Sequence, residues 1–222
     1  MIIVVGGIKG GSGKTTVATN LSVLRSAKSK DVLLIDADDQ ETATDFTVLR
    51  NEQRPEGAGY TSIKLSGSAV RTEVLRLSGK FKDIIIDTGG RDTTSQRAAL
   101  SVADLLLIPF VPRSFDVWTL EKVSALVGEM KTINPQLKAY AFINRADPRG
   151  QDNDEASEVI KENEEIVFID TPLGARKSFG NAASAGLGIT EVKPSDAKAV
   201  AQMQVLYKYV FNTKMKSVRK GE

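Results

Sequence analysis

The sequence predicts a three-layer α/β/α sandwich around a mostly parallel sheet, and two observations carry that prediction. Short apolar, β-branched runs alternate with longer helix-like stretches. The runs are apolar throughout, as expected of strands covered on both faces. A glycine-rich segment then stands between the first run and the first helical stretch. That is the carboxyl end of a strand, where open α/β sheets bind ligands.

Taken in order, the strands are expected at 2–5, 32–35, 84–86, 105–109, 139–143 and 166–169. Helices are expected at 15–27, 69–78, 93–102, 115–131, 154–163 and 195–211. Alternating β and α units joined by parallel crossovers place helices on both faces of the sheet. The polar stretch 51–60 holds Pro55, Gly57 and Gly59 and reads as a surface loop, as does 147–153. There is no internal repeat and no low-complexity linker. We expect a single domain over 1–212 and a basic, fraying tail over 213–222.

The chain has 222 residues, 41% of them hydrophobic and 26% charged, enough for a sizeable soluble core. No apolar run approaches the ~20 residues that span a bilayer, and the first residues read as a strand entering a loop, not as a signal peptide. Cysteine is absent, which excludes disulfides, iron–sulfur clusters and thiol nucleophiles and suits a cytoplasmic setting. Histidine is absent too, so imidazole bases and histidine metal sites are excluded. Acid–base and metal roles fall to Asp, Glu, Lys, Ser, Thr or Tyr. A net charge of +2 does not announce a nucleic-acid binder; local clustering would have to.

The glycine-rich segment reads Ile8-Lys9-Gly10-Gly11-Ser12-Gly13-Lys14-Thr15-Thr16. Strand, glycine loop and helix together make a phosphate-binding loop, hence the P-loop NTPase version of the fold. Glycines let backbone N–H groups turn inward around an anion. The helix that follows presents the positive end of its dipole. Gly10, Gly11, Ser12, Gly13, Lys14, Thr15 and Thr16 form the expected cradle. Lys14 would reach the β- and γ-phosphates and the Thr15 hydroxyl would bind Mg²⁺.

Carboxylates follow two of the strands. In Asp36-Ala37-Asp38-Asp39-Gln40, Asp36 and Asp38 project to one side of an extended segment. Near a triphosphate they would hold magnesium waters or orient an attacking water; alone, they would read as a helix N-cap cluster. Asp87 ends the apolar run of Asp83-Ile84-Ile85-Ile86-Asp87-Thr88-Gly89-Gly90, the position of a water-mediated Mg²⁺ ligand in phosphate-loop enzymes. Asn144, in Asn144-Arg145-Ala146-Asp147, follows another strand. Its spacing to Asp147 is also that of guanine-binding sites, so ATP and GTP both remain open on spacing alone.

The strict phosphate-loop pattern wants glycine at position 8, where this chain has Ile8 followed by a second lysine, Lys9. Lys-Gly-Gly-Ser-Gly-Lys-Thr-Thr resembles the deviant phosphate loop of the ParA/MinD family of ATPases. The resemblance extends through 103–109, 112–118 and 172–189. It implies ATP and Mg²⁺ as ligands and water as the nucleophile. Lys9 would cross a dimer interface to the partner's nucleotide, Asp36 would support magnesium, and Asp38 would position the hydrolytic water. It also implies that Asn144 bonds adenine and that the segment at Thr171 and Pro172 walls it. The chain departs from the family where Asp39 replaces a proline and where Gly89-Gly90 replaces Pro-Pro. Both changes are expected to loosen the switch loops.

A short ParA lacking an N-terminal helix-turn-helix domain is the closest likeness. It implies an ATP-dependent homodimer, non-specific DNA binding on the nucleoid, and a ParB-like partner that stimulates hydrolysis. Arg176 and Lys177 are the DNA-contact candidates, with Lys193, Lys198 and the tail bases Lys214, Lys216, Arg219 and Lys220 behind them. A MinD-like membrane role would need an amphipathic C-terminal helix. The stripe Val200, Met203, Leu206, Tyr207 and Val210 reads instead as core packing, so stable membrane binding is not expected. An amide-forming synthetase is the third alternative.

Overall fold

The computed structural model describes residues 1–28, 31–112, 117–147 and 151–212. Its elements run β1 (Ile2–Val5), α1 (Lys14–Ser26), β2 (Val32–Ala37), α2 (Thr42–Gln53), β3 (Thr61–Lys64), α3 (Ala69–Leu77), β4 (Asp83–Thr88) and α4 (Thr94–Leu100). They continue β5 (Leu105–Phe110), α5 (Val117–Ile133), β6 (Lys138–Ala146), α6 (Asp152–Lys161), β7 (Val167–Phe168), β8 (Leu173–Gly174), α7 (Lys177–Ala183) and α8 (Ala197–Asn212). The predicted basic tail and the start of the fourth predicted helix lie outside the described residues.

The sheet is ordered β3-β2-β4-β1-β5-β6-β7, with β8 also pairing β6, and every pairing is parallel. This is the phosphate-loop α/β sandwich that the sequence predicts. Alternate side chains of each buried strand go to opposite layers. Val4, Leu33, Ile35, Ile84, Ile86 and Leu106 pack against α3, α4, α5 and α6. Ile3, Val5, Val32, Leu34, Ile85 and Leu105 pack against α1, α2, α7 and α8. Met203, Leu206, Tyr207 and Val210 are buried in that second layer, so the apolar stripe of α8 is core. No helix among the described residues is long and apolar enough to cross a membrane.

Four elements have no counterpart in the sequence reading: α2, β3, β8 and α7. The stretch 51–60 is not all loop, because its first three residues complete α2. Its remainder is folded back rather than free: Arg50 Nε donates to the Ala58 carbonyl at 2.8 Å, and the Ala58 N–H donates to Asn51 Oδ1 at 2.7 Å. Likewise, Asp152 and Asn153 belong to α6 and not to the loop before it.

Candidate functional site

β1 is the middle of the sheet, flanked by β4 on one side and β5 on the other. The strand order reverses there, and a crevice opens beyond the carboxyl ends, as the topology requires. The loops after β1, β2 and β4 and the carboxyl end of β6 meet in it. Gly13 ends the β1 loop with φ 89°, a left-handed conformation that glycine adopts without strain. A Cβ there would fall 2.4 Å from Asn144 Nδ2. α1 then begins at Lys14 with no acidic residue in its first turn, which leaves its N-terminus open to an anion.

The Lys14 ammonium is buried and donates to the Lys9 carbonyl at 2.9 Å, folded back on its own loop. Burial pulls its pKa below the ordinary lysine value, opposed by the charges of Asp87 and Asp38.

Asp87 is wholly buried, and neither of its oxygens has a hydrogen-bond partner. The Thr15 hydroxyl lies close enough to favour its ionised form but outside hydrogen-bond geometry. Burial pushes the carboxyl up to about 7, the charges of Asp36 and Asp38 add to the rise, and Thr15 and Lys14 oppose it. An orphaned carboxylate beside a threonine hydroxyl fits a divalent cation that keeps its waters and completes its shell with phosphate oxygens. The described residues hold no cluster of three or more acidic side chains suited to caging a metal without such help.

Asp36 and Asp38 do not project together. Asp36 stands beside Asp87 in the β2–β4 register and is fully buried. Its Oδ2 accepts from the Thr44 N–H and hydroxyl, both at 2.8 Å, and its Oδ1 accepts from the Asp38 N–H at 3.2 Å. It thus caps the first turn of α2 from eight residues upstream, which makes the capping alternative right for this one carboxylate. β2 ends at Ala37, so Asp38 has left the strand and lines the cleft instead.

The cleft has two parts. One, of ≈ 520 Å³, is bordered by Gly10, Gly11, Gly13, Lys14, Thr15 and Thr16 and faced by Asp38, Thr42, Gly89, Gly90 and Arg145. The other, of ≈ 380 Å³, lies between Gly13, Asn144 and Arg145 and the wall formed by Leu173, Gly174, Ala175, Phe179 and Met203. Asn144 is buried, and its Nδ2 donates to the Ser12 carbonyl at 2.6 Å, so it braces the loop from the strand that carries it. Ser12 is buried as well. Thr171 is buried and Pro172 exposed; neither borders this cleft, whose wall begins with the three residues that follow them.

The glycines after Asp87 do something other than loosen the loop. A Cβ on Gly90 would lie 2.6 Å from the Gly10 nitrogen and 2.9 Å from the Lys9 carbonyl carbon. One on Gly89 would lie 3.1 Å from Asp38 Oδ1. The β4 loop therefore packs backbone to backbone on the phosphate loop, an approach that a proline pair could not make in this form. Gln96, with its amide turned to suit its neighbours, ties the same two loops by donating to the Gly7 and Arg91 carbonyls at 3.1 Å each.

Arg176, the first of the DNA-contact candidates, has a carboxylate neighbour. It is half-buried in the wall of the second cleft and pairs with Asp196 at 3.4 Å; Lys177 beside it is exposed. Cleft-facing residues to which sequence reasoning gave no binding role are Thr42, Arg91, Thr93 and Arg145; Gly89 and Gly90, read only as switch-loop residues, face it too. Their one sequence signal is position, at or just past the carboxyl ends of strands.

Similarity to known proteins agrees with this geometry. The chain is 30% identical over 193 residues to Maintenance of carboxysome distribution protein A of Gloeobacter kilaueensis, covering 86% of this chain and 84% of that one. The fold superposes on a point variant of McdA from Cyanothece in complex with ATP, with a TM-score of 0.77, 20% identity and 95% of each chain covered. It also superposes on the septum site-determining protein MinD of Pyrococcus horikoshii complexed with Mg-ADP, with a TM-score of 0.70, 17% identity, and 94% and 95% covered. The profile of the CobQ/CobB/MinD/ParA nucleotide binding domain matches residues 3–189, and the chain belongs to that family.

Proposed function

We propose that this protein is an Mg²⁺-dependent ATPase of the ParA type. In this reading ATP drives a homodimer that binds DNA without sequence preference and positions a cargo, and a ParB-like partner stimulates hydrolysis. The observation that carries the reading is the pairing of a two-lysine phosphate loop with an orphaned buried carboxylate, Asp87, at its mouth. The relatives support it: one is named for maintaining carboxysome distribution, and a structural neighbour of the same name was captured with ATP.

The triphosphate lies over Gly10–Thr15, and the base lies in the second cleft, beside Asn144. Lys14 leaves the Lys9 carbonyl for the β- and γ-phosphates, exchanging one hydrogen bond for charge-assisted ones. Thr15 and Asp87 would hold Mg²⁺, with Asp36 behind them adding negative charge. When bound, the ion would neutralise charge building on the β- and γ-oxygens. Asp38, on the open side of the cleft, orients the attacking water and accepts its proton. Lys9 reaches the partner's nucleotide, so that turnover requires the dimer. The closure of Gly90 on Lys9 and Gly10 makes the loop after Asp87 the part that senses this arrangement.

Lys177 is the better placed of the two candidates for DNA contact, because Arg176 is held by Asp196. Such contacts are electrostatic, and a dimer doubles them. The test is DNA binding measured with ATP, with ADP and without nucleotide. The reading requires binding with ATP alone, weakening steeply as salt is raised. Equal binding in all three states would refute it. Lipid co-sedimentation or substrate-dependent ADP release would favour a membrane-positioning or a synthetase role instead.

A further inference from the structure

The two parts of the cleft share three residues: Gly13, Thr16 and Arg145. The first two belong to the phosphate loop and its helix. Arg145 comes from β6 and has no part in the reading above.

Three features single it out. Its φ is 54°, and among the described residues only Glu41, also beside the cleft, shares a positive φ without being glycine. A side chain disfavours this conformation, which persists where the surroundings impose it, often at ligand clamps. Here the surroundings are visible. Asn144 pairs with Leu173 and Ala146 with Gly174, so Arg145 is the extra residue of a bulge between β6 and β8. Both its neighbours are tied, Asn144 to the Ser12 carbonyl at 2.6 Å and the Ala146 carbonyl to the Ala175 N–H at 3.0 Å. Bulges of this kind re-aim a side chain beside an active site. Thirdly, the side chain is exposed and makes no hydrogen bond or ion pair with the described residues. Arg176, in the same wall, is by contrast held by Asp196.

We infer that Arg145 is a nucleotide-binding residue whose guanidinium takes the α-phosphate. The inference rests on the two clefts forming one nucleotide site. With the β- and γ-phosphates over the loop and the base in the second cleft, the junction between them holds the ribose and the α-phosphate. Only the latter is charged, and a planar guanidinium matches its oxygens with two parallel donors.

ATP and ADP share that phosphate, so the signature is a loss common to both. Arg145→Gly is the informative variant, because glycine accepts the left-handed conformation without strain. Titration calorimetry with Mg-ATP and with Mg-ADP is expected to show both weakened by the same factor, about tenfold or more. The melting temperature without nucleotide should be unchanged or raised. Arg145→Lys should recover part of the affinity. Wild-type affinity in Arg145→Gly, a loss confined to ATP, or a loss accompanied by a lower melting temperature would each overturn the assignment. If the wild-type chain binds neither nucleotide, or if Lys14→Ala binds both normally, the nucleotide-site reading itself has failed. Arg145 would then have no ligand to hold.

Discussion

Asp87→Asn should make the nucleotide-free protein more stable, and by an amount that depends on pH. Burial raises the Asp87 carboxyl from 3.8 to about 7. A shift of roughly three units corresponds to about 4 kcal/mol between the neutral and ionised forms. The sign follows from proton linkage. The folded state binds the proton more tightly than the unfolded chain, so this stability is fully present below about pH 4 and is lost as the pH rises through about 7. Asparagine keeps the shape and removes the charge, including its repulsion by Asp36 and Asp38. Variant and wild type should therefore match near pH 4. They should diverge by up to about 1.4 kcal/mol per pH unit and differ by about 4 kcal/mol above pH 8. For a chain of this size that is a rise of roughly 8–16 °C in melting temperature. Thermal and urea unfolding in chelator, without nucleotide, at pH 4.5, 6 and 8 would measure it. The same variant should lose the magnesium-dependent part of its ATP affinity. A variant less stable than wild type at pH 8, or a stability difference indifferent to pH, would refute the argument that this carboxylate is stored uncompensated until a cation arrives.

Three further substitutions test separate parts of the site. Lys9→Ala should bind ATP as a monomer yet fail to dimerise, and its turnover should fall about a thousandfold or more if Lys9 acts in trans; light scattering with ATP checks the first effect and phosphate release the second. Asp38→Ala should bind ATP normally, hydrolyse it at least about a hundredfold more slowly, and accumulate as the ATP dimer on DNA; full turnover would assign the water to another group. Gly90→Ala forces a Cβ to within 2.6 Å of the Gly10 backbone; it should cost about 1–3 kcal/mol in unfolding experiments and weaken ATP binding as the phosphate loop shifts.

Much of the fold is written in patterns of short range. β1 matches its apolar run, and β2, β4, β5 and β6 extend theirs by a few residues, because these strands are buried on both faces and need apolar side chains throughout. β3 escaped because it lies at the sheet edge, with Thr61 and Lys64 exposed and Ser62 and Ile63 only half-buried. α2 escaped because two of its four buried residues are polar, Thr47 and Arg50, and the second is satisfied by Glu191, far along the chain. β8 is two residues long, and α7 opens with Lys-Ser-Phe-Gly, which carries no helical period.

The loop chemistry was equally local. Glycines, Lys14 and Thr15 are adjacent in sequence, so spacing alone announces a phosphate cradle and the second lysine at position 9. What the chain could not state for itself was which groups face one another once it is folded. Asp36 and Asp38 are two residues apart, yet one is sealed beside Asp87 as a helix cap and the other opens on the cleft, because the strand ends between them. Gly90 reads as a loose hinge in one dimension and is a close-packed joint in three. Asn144 and Ser12, 132 positions apart, meet only because β6 and β1 both neighbour β5. Burial, pairing and the cost of an unpartnered charge are set by neighbours distant in sequence, and the sheet order decides who those neighbours are.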